Sequence, residues 1–104
     1  MLVNAEAEMN IAFNTALKMF LPDEKDDKTV TGPDRVRQIE WQKRMLRDLK
    51  ASQSAWLAYR DSSCRSVSDF YEDGSGEPTA VANCKLEITT ARTQFLRDNF
   101  GAQK

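Results

Sequence analysis

From Asp34 to Asp73 the chain runs without a glycine or a proline. Over this stretch a stripe recurs at three- and four-residue intervals: Val36, Ile39, Leu46, Leu49, Gln53, Trp56, Leu57, Arg60, Cys64, Val67 and Tyr71, widened by Trp41, Met45 and Tyr59. That period is one face of an α-helix, and Pro33 and Asp34 suit its start. The spacing therefore predicts a helix over 34–72, about 57 Å long at 1.5 Å per residue. A compact domain of 104 residues is only about 33 Å across. The helix must either kink or make the molecule elongated.

Two shorter helices flank it. Met9, Ala12, Phe13, Ala16, Leu17 and Phe20 predict one over about 4–21, ended by Pro22. Val81, Cys84, Ile88, Ala91, Phe95 and Leu96 predict another over about 79–99, with Thr79 as N-cap and Gly101 marking its end. Residues 22–32 read as a polar loop. Residues 73–78, DGSGEP, read as a turn short enough to make the second and third helices antiparallel neighbours. The expectation is one all-α domain over 1–104 with a single modest core. Four Gly and three Pro are too few for a β-sandwich or barrel.

Composition bounds the chemistry. The sequence has no His, which removes His-based triads and most zinc or haem sites. Ser62, Ser63 and Thr89 thus lack a His base. Asp69, Glu72, Asp73 and Glu77 surround a Gly-rich turn, which does not preorganise a glycosidase pair. Asp23, Glu24, Asp26 and Asp27 do not match a calcium loop. We assign no catalytic, cofactor-binding or metal-ligating residue and read the chain as not an enzyme.

The net charge of −1 hides a strong division. Residues 1–34 carry seven acids and three bases, 35–65 three acids and eight bases, 66–78 four acids and no base, and 79–104 two acids and four bases. There is no dominant basic field of the kind nucleic acid requires. Residues 1–21 contain Glu6 and Glu8, no basic leader and no apolar stretch of membrane length.

Cys64 and Cys84 are open to three readings: a disulfide, two buried thiols or a redox pair, the last disfavoured by their twenty-residue separation. Placing them opposite each other sets a register in which facing positions sum to about 148. Arg60 is then level with Ile88, Trp56 with Arg92, Gln53 with Phe95 and Leu49 with Asn99, so apolar stripe meets apolar stripe. Gln53 and Arg60 interrupt that stripe. A polar network fixing the helix register accounts for them more simply than a ligand site, and Glu87 is the expected partner of a buried Arg60. Arg92 is expected over the Trp56 ring.

Gln53, Trp56, Tyr59, Arg60, Asp61 and Cys64 form Q-x2-W-x2-Y-R-D-x2-C. Cys84, Thr89, Arg92 and Leu96 form C-x4-T-x2-R-x3-L, and Asn10 and Phe13 form N-x2-F. Over about residues 6–97 this pattern resembles the LprI-like lysozyme-inhibitor family of small secreted bacterial helical domains. The resemblance implies export to the periplasm or beyond, a Cys64–Cys84 disulfide, an all-helical fold and, more loosely, lysozyme inhibition. A basic lysozyme-type partner would meet acidic surface, and Glu72, Asp73, Gly74, Ser75, Gly76 and Glu77 at the hairpin tip are the candidate contact. The alternative is an envelope interaction module using the basic face of Arg35, Arg37, Lys43, Arg44 and Arg47. The plainer reading of that face is a solvated helix surface paired with Glu40 and Asp48.

Overall fold

The computed structural model describes residues 2–21, 32–72 and 74–101. They form three helices, α1 (Leu2–Lys18), α2 (Pro33–Tyr71) and α3 (Glu77–Phe100), and no strand. α2 is one continuous helix of 39 residues, and the molecule is accordingly elongated, 64 × 22 × 18 Å. Its radius of gyration is 18.4 Å, against ~13 Å for a compact chain of this length. A continuous rod thus settles the choice between kink and elongation.

The helix ends follow local chemistry. α2 opens on Gly32, whose φ of 89° is in the left-handed region, with Pro33 in the first turn where its missing N–H costs nothing. α3 starts at Glu77 rather than Thr79, with Gly76 as N-cap and Pro78 in the first turn. α1 begins at Leu2 and ends at Lys18, three residues before the expected boundary. There the ladder tightens into i→i+3 bonds, from Met19, Phe20 and Leu21 to the carbonyls of Ala16, Leu17 and Lys18. Most of the expected 22–32 loop lies outside the described residues.

α1 and α3 both run antiparallel to α2. Phe20 meets the rings of Trp41 on α2 and Phe100 on α3, at centroid distances of 5.4 and 6.0 Å, while Arg60 on α2 reaches Glu6 on α1 and Thr89 on α3. α3 packs closely on both other helices. Buried Ala5, Ala12 and Ala16 on α1 and buried Thr89 and Thr93 on α3 are small enough for such an approach. α1 reaches α2 through longer side chains. The core is Met9, Ala12 and Ala16 from α1, Phe20 from the turn that follows it, Leu49 from α2 and Leu96 from α3, with Phe13, Leu17, Met45, Leu46, Trp56 and Phe100 packed around it. Both α1 and α3 cover the middle of α2, and the α2–α3 hairpin runs on past Glu6 to its tip.

Candidate functional site

Cys64 and Cys84 form a disulfide with their Cα atoms 5.7 Å apart. It pins the register expected from setting the two cysteines opposite each other, and Arg60–Thr89, Trp56–Arg92 and Ser68–Glu77 all meet across the hairpin. The bond divides the hairpin into a spine below and a tip above.

The spine is a buried polar network. Arg92 donates from Nε to the Gln53 Oε1 (3.1 Å) and from an Nη to the Ser52 hydroxyl (3.1 Å). Gln53 in turn donates to the Met9 sulfur at 2.9 Å, joining α1 to the pair. The Trp56 ring lies between two guanidinium groups, with Arg60 Cζ 5.2 Å and Arg92 Cζ 5.9 Å from its centroid; Arg92 also lies over Phe95. Burial pushes the Arg92 pKa below the ordinary arginine value, because desolvation disfavours the charged form. Neutral hydrogen-bond acceptors and aromatic faces make that burial tolerable.

Arg60 is buried as expected, but its carboxylate is not Glu87. Arg60 Nη1 pairs with Glu6 Oε1 on α1 at 3.0 Å and Nε with Asp61 at 3.2 Å, and Nη1 also donates to the fully buried Thr89 hydroxyl at 3.3 Å. Glu87 is the nearest acid across the α2–α3 register, but α1 packs against the pair and supplies Glu6 instead. Glu6 was legible: it stands three residues before Met9 on the stripe that continues through Phe13, Ala16 and Phe20. Glu87 is exposed and makes no ion pair with a described residue. Of the other motif residues, Leu96 is core, Phe13 packs against the core, and Asn10 and Tyr59 are exposed. On the basic face, Arg37 pairs with Asp34 and Arg47 with its neighbour Asp48.

At the tip the predicted turn residues do different things. Glu77 is committed: the Ser68 hydroxyl donates to its Oε1 at 2.8 Å, which fastens the start of α3 to α2. Gly74 donates its N–H to the Tyr71 carbonyl at 2.9 Å, and a Cβ there would stand 3.0 Å from that oxygen. Asp73 lies outside the described residues. Glu72 caps α2 in the left-handed region, φ 46° and ψ 49°. That conformation favours glycine, and a glutamate there adds a negative charge at the negative end of the helix dipole. The carboxylate is exposed.

Pattern reading placed Tyr71 in the apolar stripe and passed over Phe70, but both rings face outward here. Phe70 is 82% exposed, Tyr59 61% and Tyr71 43%. With Val67, Ile88, Asn83 and Glu87 they line an open groove along one side of the hairpin. The opposite side carries a groove lined by Asp61, Arg65, Ser68, Glu77 and Lys85 around Cys64. Among the described residues no group of His, Cys, Asp and Glu is arranged to hold a metal ion. No described helix is long and apolar enough to cross a membrane.

These features define a disulfide-clamped three-helix fold with a closed polar spine and an open acidic and aromatic tip. The chain belongs to the family described as Lysozyme inhibitor LprI, which matches residues 2–96. It is also 40% identical over 53 residues to an uncharacterized protein of Rhizobium meliloti (strain 1021), a match covering 51% of this chain and 38% of that relative. No solved structure gives a significant match.

Proposed function

We propose that this protein is an exported bacterial binding protein that inhibits lysozyme or a related muramidase by presenting the tip of the α2–α3 hairpin to the enzyme. Membership of a family named for lysozyme inhibition supports the reading, and the disulfide fits an oxidising compartment outside the cytoplasm. The observation that carries it to the tip is Glu72. A glutamate in a left-handed cap, at the end of a helix that repels anions, lowers stability in two ways at once. Such local strain is characteristic of recognition sites. Opposed to a basic enzyme, the exposed carboxylate would speed encounter and give a salt-dependent association.

The test is the lytic activity of several lysozymes on bacterial cell walls, titrated with the wild type and with a Glu72→Ser/Asp73→Ser/Glu77→Ser variant of normal fold. Salt-sensitive inhibition by the wild type, weakened in the variant, is the expected result. Equal inhibition by both would move the contact away from this turn, first to the basic face of α2. No inhibition of any lysozyme would leave the envelope interaction module as the reading.

A further inference from the structure

The groove beside the tip contains a combination that the fold does not use. Glu87 is its one charged lining residue, and it stands exposed without an ion pair among the described residues. The acid that pattern reading gave to Arg60 is thus left over, because Glu6 and Asp61 take that arginine. Three aromatic rings stand along the same groove. Tyr59 and Phe70, eleven residues or three helical turns apart, project on one side of α2. The Tyr71 ring meets Phe70 edge to face at 5.5 Å, and the backbone of Gly76 lies close beneath it, where a Cβ would stand 3.6 Å from the ring. Among the described cations of this part of the hairpin, Arg65 and Lys85 line the opposite groove and Arg60 is held by Glu6 and Asp61.

A carboxylate beside aromatic faces is a receptor for a planar cation. The acid pairs with the charge while the rings offer their negative faces to the guanidinium and their apolar area to its stem. The spine shows the same chemistry within this chain, where Trp56 takes two arginines. Aromatic residues and arginine are also the usual anchors of protein interfaces. We infer that the Tyr59–Phe70–Tyr71–Glu87 groove seats an arginine side chain of a basic protein partner. Resting on the reading that the tip meets a basic enzyme, it adds the anchor that holds the complex once the acidic turn has steered it. The charge complementarity is local: Glu87 is the one acid among the residues lining the groove.

The experiment measures binding of a basic lysozyme to the full chain and to Glu87→Gln, Phe70→Ala and Glu72→Ser variants, each checked for an unchanged melting temperature. The expected result is at least a tenfold loss of affinity for Glu87→Gln and for Phe70→Ala, appearing as faster dissociation, while Glu72→Ser slows association. Wild-type affinity in both groove variants would overturn the groove and leave the inhibitor reading standing. If the wild type binds no lysozyme, the inhibitor reading falls and the groove is decided separately. A blocked arginine–leucine peptide and chitotriose, each at millimolar concentration, are then titrated against the labelled chain by NMR. Shifts at Tyr59, Phe70 and Glu87 with the peptide, lost in Glu87→Gln, sustain the proposal. Shifts with chitotriose alone, or none with either, overturn it.

Discussion

Below the disulfide, each polar group drawn into the spine has found a partner; above it, side chains that ordinarily seek burial stand in water. Gln53, Arg60, Thr89 and Arg92 are all buried and all hydrogen-bonded, whereas Phe70 and Tyr71 are exposed and Glu72 holds a left-handed backbone. The two regions share two helices and differ in whether α1 lies against them. Three helices can enclose a polar network, while two helices leave both faces of their seam open. Burial therefore rewards register in the spine and leaves the tip free for chemistry that stability alone would not select.

The largest effect should come from the region enclosed by three helices. Leu96 is 1% exposed, and Leu96→Ala should cost about 3–4 kcal/mol through the lost burial and the residual cavity. Chemical denaturation with global loss of helix would show it, and a cost under about 1 kcal/mol would mean that the core collapses around the gap. Replacing Cys64 and Cys84 together by serine should cost about 3 kcal/mol in the chain-entropy model for a closed loop of this length. Here the contrast becomes sharper, because amides of 65–72 and 77–83 should lose hydrogen-exchange protection before those of 89–96. Uniform loss would erase the distinction between tip and spine.

Arg60→Ala should cost about 2 kcal/mol, less than for a fully buried pair, because the Glu6 side chain is 41% exposed and regains water. If α1 is clipped to the hairpin by this arginine, its amides will be the ones most affected; a variant that melts as the wild type would show that the clip contributes nothing. The smallest effect has the opposite sign. Glu72→Gly should stabilise the fold by about 0.5–1 kcal/mol, since glycine relieves the left-handed backbone and removes an unfavourable helix-end charge, with part of the gain lost to the freer unfolded chain. A calorimetric Tm raised by roughly 4 °C, together with weaker lysozyme binding, would place stability and recognition in opposition at one residue. A lowered Tm would remove the strain argument.

Periodicity and punctuation alone determined the three helices and the antiparallel hairpin, because a 3.6-residue apolar stripe and the glycines and prolines at its ends are properties of local sequence; the register of the two stripes followed only once Cys64 was set opposite Cys84. The stripe also marked Gln53 and Arg60 as polar groups on a buried face, and the cysteine register set Arg92 level with Trp56. What satisfied those groups was decided by tertiary structure. Glu6 and Met9 lie more than forty residues from Arg60 and Gln53, and only the packing of α1 parallel to α3 brings them within reach. The same packing left Glu87 unpaired and Phe70 in water. A stripe records which residues share a face of one helix, but which part of that face is covered depends on where another helix ends.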